Sequence, residues 1–223
     1  MILTLAKNNY LSVVYNERDR PKTEYPNQLI SYLINRFNIK KCSRILDVGC
    51  GNKNFLDAFK DTGMEAIGVD LFNNGDESIL EVNFEIDKSP FPDNSFDICF
   101  SKSIVEHLNN PDLYISEIYR VLKPNGRLIL MVPEYDSCQY LYWDDYTHKQ
   151  PYRLNSVRDL LLIHKFCDVN IESFYQLPVV WKYPVLKIIC KFLQLFGAPK
   201  KIVKNKFLRF SREKMILSTG VKI

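Results

Sequence analysis

The sequence has no run of eighteen or so uninterrupted apolar residues, the length that a membrane-crossing helix needs. Its apolar start is not followed by a basic segment, a long apolar stretch and a small-residue cleavage site, so no signal peptide is read. The six cysteines include no CxxC pair, which favours reduced thiols in a cytoplasmic protein over a disulfide framework. There are three histidines, dispersed and without an HxxxH pattern, so no metal site is expected. Acid is almost missing from the C-terminal part: from Lys182 onward eleven Lys and Arg face Glu213 alone. Such a tail suits an anionic partner, whether a phospholipid surface, a phosphorylated substrate or nucleic acid, or else a solvated helical face. Nucleic acid is the least favoured, since only Phe207 and Phe210 stand near those charges.

At 223 residues, 46% hydrophobic and 25% charged, the chain suits one globular domain with embellishments. Apolar residues at Leu29, Ile30, Leu33, Ile34 and Phe37 predict an amphipathic helix over 26–37. Strands are predicted at Arg44–Val48, Glu65–Val69, Val82–Ile86, Phe96–Phe100, Arg127–Val132, Cys167–Phe174 and 215–222, with helices between them. A helix through Leu113–Leu122 should stop at a turn over Pro124–Gly126, and Asn155 or Ser156 should cap a helix over Val157–His164. Alternating strands and helices imply an α/β fold with a parallel sheet.

The first strand ends in Asp47, and Gly49, Cys50 and Gly51 follow it. Glycines there let backbone N–H groups approach a cofactor closely, and the strand's acid can organise the loop. Asp70 closes the second strand about 20 residues on, where a carboxylate can hold ribose hydroxyls, with Leu71 beside it. A nicotinamide dinucleotide site would carry the fuller GxGxxG; Lys53 and Phe55 stand where it would continue.

With "ILDVGCGNKNF", "GVD" and the block "DKSPFPDNSFDICFSKSIVEHLNNPDLYISEIYRVLKPNGRLILMVPE", the sequence resembles the class I S-adenosylmethionine-dependent methyltransferases of the small-molecule, type 11-like group, from about Arg44 to Phe174. The resemblance implies a Rossmann-like, seven-stranded, mostly parallel sheet with helices on both faces. One domain would span 1–223: an N-terminal helical cap (1–40), a cofactor core (41–175), a basic apolar helical insertion (176–210) and a final strand (211–223). It implies S-adenosylmethionine as cofactor, with Asp47, Gly49, Cys50 and Gly51 around its methionine part, Asp70 and Leu71 at the ribose, Asp87 facing the adenine amine and Ser101 lining the pocket. Lys53 departs from the family's glycine and puts the loop's shape in question. A chain that keeps the fold but has lost turnover, a binding or scaffold protein, is the alternative.

Methyl transfer from a sulfonium depends chiefly on alignment. An oxygen acceptor also needs a base, and a neutral imidazole suits that task, which makes His107 and His148 the candidates. His107 follows the fourth strand at the edge where such folds place substrates. His148 lies in "WDDYTHKQPY", an aromatic and acidic loop that can form an acceptor pocket with Trp143, Asp145 and Tyr146, or simply pack its histidine on Trp143 or Tyr152. His164 is expected to be structural, at a helix C-terminus. That loop, with "LNSVRDLL", resembles methyltransferases of polysaccharide and lipid-linked glycan synthesis, so the acceptor is expected to be a small molecule, a sugar or a lipid-linked glycan. Val185, Leu186, Ile188, Ile189, Cys190, Phe192, Leu193, Leu195 and Phe196 cover most of a predicted helix and want an apolar partner: the core, a homodimer mate, or anionic membrane met peripherally.

Overall fold

The computed structural model describes residues 23–73, 75–197 and 203–223. Most of the expected N-terminal cap, and Lys200 and Lys201 of the basic tail, lie outside the described residues. The strands are β1 (Arg44–Val48), β2 (Glu65–Asp70), β3 (Ile79–Glu81), β4 (Phe96–Lys102), β5 (Leu122–Pro133), β6 (Cys167–Tyr175) and β7 (Lys214–Val221). They form one seven-stranded sheet in the order β3-β2-β1-β4-β5-β7-β6. The pairs from β3 through β5 are parallel, and β7 runs antiparallel to both β5 and β6. The strand order reverses between β1 and β4, so their C-terminal ends open the crevice in which such sheets bind ligands.

Helices cover both faces. On one side lie α1 (Tyr25–Phe37) and α2 (Asn54–Asp61), whose Leu29, Ile30, Leu33, Leu56 and Phe59 pack with Ile45, Phe100 and Met131 of the sheet. On the other lie α3 (Pro111–Val121) and α5 (Leu154–Ile163), through Ile115, Ile118, Val157 and Leu161 against Leu46, Cys99 and Leu130. Alternate residues of one strand thus feed opposite cores, as the period of two requires. Between them is α4 (Tyr135–Tyr142), and before β7 come α6 (Pro178–Lys182), α7 (Leu186–Gln194) and α8 (Lys206–Phe210), the helical insertion. All six cysteines are free. No helix of the described residues is long and apolar enough to cross a membrane.

Three expectations are corrected. The third strand is Ile79–Glu81, paired with Gly68–Asp70; the segment from Val82 leads into a turn in which Ile86 and Asp87 donate to the Asn83 carbonyl. The Trp143 loop keeps its place and is preceded by helix α4, over which no element is predicted. Helix α5 begins at Leu154, and Ser156 sits inside it, exchanging hydrogen bonds with Arg153. Pro124–Gly126 lies within β5 as an irregularity, with Asn125 left-handed at φ 65°, and does not separate helix from strand.

The cofactor loop and a buried Glu-His-His cluster

After β1 the chain turns through two glycines with positive φ, Gly49 at 83° and Gly51 at 51°. At Gly49 the space is closed as well: a Cβ there would stand 2.2 Å from Ile104 Cδ1. At Gly51 nothing lies within 4 Å of that position, so its backbone faces open space. Gly49 and Cys50 both donate to the Val69 carbonyl, and Gly51 donates to Asp70 Oδ2 at 2.8 Å. The acid closing β2 therefore braces the loop after β1. Burial lifts the Asp70 carboxyl above its ordinary range, against the pull of the Gly51, Phe72 and Leu71 N–H groups. Asp47 is buried, its Oδ2 meets no hydrogen-bond partner, and burial, helped by Asp70, pushes its pKa up to about 8.

These features fit S-adenosylmethionine. The orphaned Asp47 oxygen is what a bound ammonium group would satisfy, and the Gly51 backbone leaves room for a ligand to approach. Lys53 takes φ 60° where the resemblance expects glycine, and pairs with Asp76 beyond β2. The lysine adopts the glycine's conformation, so the loop keeps its turn.

The other cofactor positions are less direct. Cys50 is buried, with its side chain packed below Gly68, so only its backbone serves the loop. Leu71 is half-buried beside Asp70. Ser101 is wholly buried and bonded at 2.7 Å to Tyr114, whose hydroxyl donates onward to the Val48 carbonyl. It holds β4 to α3 and does not line an open pocket. Asp87 is exposed in the turn after β3 and is not a strand-end acid.

Ile104, which closes over Gly49, belongs to the segment leaving β4. Ser103 takes φ 59°, and Val105–His107 forms a single 3-10 turn. This brings Glu106 and His107 within three residues of the cofactor loop's lid. The Trp143 loop comes to the same place, because Lys149 and Gln150 both donate to the Glu106 carbonyl, at 2.7 and 3.3 Å. Glu106, His107 and His148 consequently offer ligand atoms all within 4.8 Å of one another. The Glu106 side chain is 1% exposed, and neither carboxylate oxygen meets a hydrogen-bond partner. Burial raises its pKa to about 8.

The imidazoles are held in one tautomer. Thr147 gives its hydroxyl hydrogen to Asp145 at 2.6 Å, so its oxygen accepts from His107 Nδ1 at 2.8 Å. His148 Nδ1 stands 2.6 Å from the Tyr142 carbonyl, which can only accept. Both rings therefore carry hydrogen on Nδ1 and the lone pair on Nε2 when neutral. Burial, reinforced by His148, pushes the His107 pKa down to about 4, so His107 is neutral at physiological pH. The 4.0 Å approach of its Nε2 to Glu106 is then not an ion pair. His164 bridges Ser116 and Asp112 of α3 from the end of α5, a structural role.

The sequence offered both histidines but not Glu106 as a site residue, since nothing local marks a carboxylate as buried. An open cleft of about 680 Å³ runs beside α4 and α5, and none of its lining residues belongs to the cofactor loop.

The reversed strand order and the helices on both faces give the fold of a class I methyltransferase, and the glycine turn braced by Asp70 and the orphaned Asp47 stand where a cofactor would be held. Residues 46–130 match the methyltransferase domain family model. The chain belongs to the class I S-adenosylmethionine-dependent methyltransferases: it is an enzyme of methyl transfer, with S-adenosylmethionine as cofactor. An uncharacterized protein of Methanocaldococcus jannaschii is 30% identical over 206 residues, covering 89% of this chain and 88% of that protein. Phosphoethanolamine N-methyltransferase of Plasmodium falciparum is 24% identical over 203 residues, covering 83% and 73%. The chain spans only 32% of the length of Arabidopsis thaliana phosphoethanolamine N-methyltransferase 1, to which it is 27% identical. In fold it is similar to a SAM-dependent methyltransferase from Archaeoglobus fulgidus, with TM-score 0.65 and 22% identity over 94% of this chain and 99% of that one.

Proposed function

We propose that this enzyme methylates an oxygen of a hydroxylated acceptor, a small molecule, a sugar or a lipid-linked glycan, seated between the segment after β4 and the Trp143 loop. The observation that carries this is the cluster of two Nδ1-protonated imidazoles and a buried carboxylate beside the cofactor loop's lid. When bound, S-adenosylmethionine supplies a methyl group on a positively charged sulfur that departs with the bonding pair. The chain's own task is to orient the acceptor and carry away its hydroxyl proton. Amine acceptors that arrive neutral need no such centre, whereas a hydroxyl, with its high pKa, does. Exposed Trp143 and Tyr146 on the loop offer faces against which a sugar can pack. The scaffold reading loses its ground, since Lys53 leaves the loop intact.

Helix α7 supports a lipid-borne acceptor. Cys190 turns inward, while Val185, Ile188, Phe192, Leu195 and Phe196 are all exposed by more than half on and around the helix, among the tail's basic residues. The predicted apolar helix thus meets the core along one edge only. Trp181 of α6, the helix just before α7, packs on Tyr25, and Tyr25 on Phe55 at the start of α2, which ties the insertion to the side of the sheet where the cofactor loop lies. An anionic bilayer matches both its apolar face and its charge.

The test is transfer of labelled methyl from S-adenosylmethionine to hydroxylated sugars and polyprenyl-linked glycans, with phosphoethanolamine as the amine comparator. Methyl ethers are the expected product; methylation of the amine alone would overturn the oxygen reading. Flotation with anionic vesicles tests the surface: wild type should float at low salt and Phe192→Glu should not. Failure of wild type to float removes the lipid-borne acceptor.

A further inference from the structure

We propose that Glu106, His107 and His148 bind one divalent first-row transition-metal ion on the acceptor side of the cofactor crevice. Its use in chemistry rests on the acceptor reading above; its binding does not. The three residues bring their ligand atoms within 4.8 Å of one another from two chain segments, and backbone hydrogen bonds from Lys149 and Gln150 to Glu106 lock those segments together. The Glu106 carboxylate is almost wholly buried with both oxygens orphaned, facing two imidazoles. A buried acid without a partner is costly, and a cation among these groups would relieve it.

The neighbours of the imidazoles strengthen the case. Metal-bound histidines usually give their other ring N–H to a carbonyl or, directly or through a relay, to a carboxylate, which fixes the coordinating nitrogen. Both arrangements are present. His148 Nδ1 serves the Tyr142 carbonyl, and His107 Nδ1 serves Thr147, itself bonded to Asp145. In each ring this turns the lone pair to Nε2. Two nitrogens and one carboxylate suit zinc, manganese, iron or cobalt better than magnesium or calcium, which prefer oxygen throughout. Three protein ligands leave positions for solvent or an acceptor hydroxyl, the arrangement of catalytic sites and not of closed structural ones. An ion here would withdraw charge from that hydroxyl, so that its proton could pass directly to solvent while the ligated imidazoles hold the ion in place of serving as the base.

The experiment takes the full chain, strips it with a chelator and titrates Co²⁺, read by visible absorption and calorimetry. One equivalent should bind with a ligand-field spectrum. Glu106→Gln and His148→Asn should each weaken it by about 10-fold or more, while S-adenosylhomocysteine binding, which reports an intact fold, is unchanged. Absence of saturable Co²⁺ binding by protein that still binds S-adenosylhomocysteine overturns the site, as does binding that neither variant alters. If wild type binds no Co²⁺ yet His107→Ala abolishes methyl transfer, the metal is overturned and the acceptor reading stands.

Discussion

Replacing Gly49 by alanine perturbs two things that can be separated. At φ 83° an L side chain meets its own backbone, and its Cβ would also stand 2.2 Å from Cδ1 and 2.3 Å from Cγ1 of Ile104. The left-handed conformation costs roughly 1–2 kcal/mol. The overlap requires Ile104 to leave its place, and overpacking of that kind costs about 1–3 kcal/mol. Together they predict a loss of roughly 2–5 kcal/mol, a large part of a typical stability of about 5–15 kcal/mol. Truncating the partner distinguishes the terms. Ile104→Ala in the Gly49→Ala background should restore the overlap part and leave the backbone part, a coupling of about 1–3 kcal/mol in a double-mutant cycle. Urea unfolding of the four proteins, at constant m-value, measures this. The same cycle followed through S-adenosylmethionine affinity should show Gly49→Ala weakened and the double variant partly recovered. A loss below about 0.5 kcal/mol in Gly49→Ala, or strictly additive effects, would refute the close packing of the β4 segment on the cofactor loop.

Other expectations follow from the buried acids and the relay. Glu106 and Asp47 have folded pKa values of about 8 against ordinary values of 4.5 and 3.8, so their contribution is present at low pH and lost as pH rises toward 8. His107, lowered from 6.5 to about 4, contributes above 6.5 and loses that as pH falls. Of these three groups only the two acids differ in protonation between the folded and unfolded chain from pH 6.5 to 8, so they should lower the stability of the ligand-free chain there, by at most about 1.4 kcal/mol per pH unit for each group. Glu106→Gln should flatten that slope; stability rising over the window contradicts the assignment. Thr147→Val removes the acceptor that orients His107 and should lower kcat by about 10-fold or more with cofactor affinity unchanged; equal loss of both would make Thr147 merely structural.

The parts of the fold that could be read from the sequence are those whose signals are local. Asp47, Gly49, Gly51 and Asp70 sit at strand ends and turns, where residue type and backbone demand coincide, and the structure joins them through the Gly51–Asp70 hydrogen bond. Val82–Ile86 alternates apolar and polar residues, whereas the three residues of β3, Ile-Leu-Glu, are too few to show a period, and only their pairing with Gly68–Asp70 marks them as the strand. Helix α4 is rich in tyrosine and weak in intrinsic helix preference, so no element is predicted over its residues. His107 and His148 stand far apart in sequence, and the contact that unites them runs through the backbone of Glu106, to which side-chain identity gives no clue. The adjacent Glu106-His107 pair just past the strand at the switch point is the one local signal for this cluster.

We assign the crevice at the ends of β1 and β4 to S-adenosylmethionine, held through the Asp47–Gly51 loop and Asp70. Calorimetric titration of wild type and Asp70→Ala with S-adenosylmethionine, S-adenosylhomocysteine and NAD tests it most directly. Wild type should bind the first two and not NAD, and Asp70→Ala should bind them at least 10-fold more weakly, about 1.4 kcal/mol or more. Well-folded wild-type protein that binds neither, or an Asp70→Ala protein that binds both as tightly as wild type, would contradict the account.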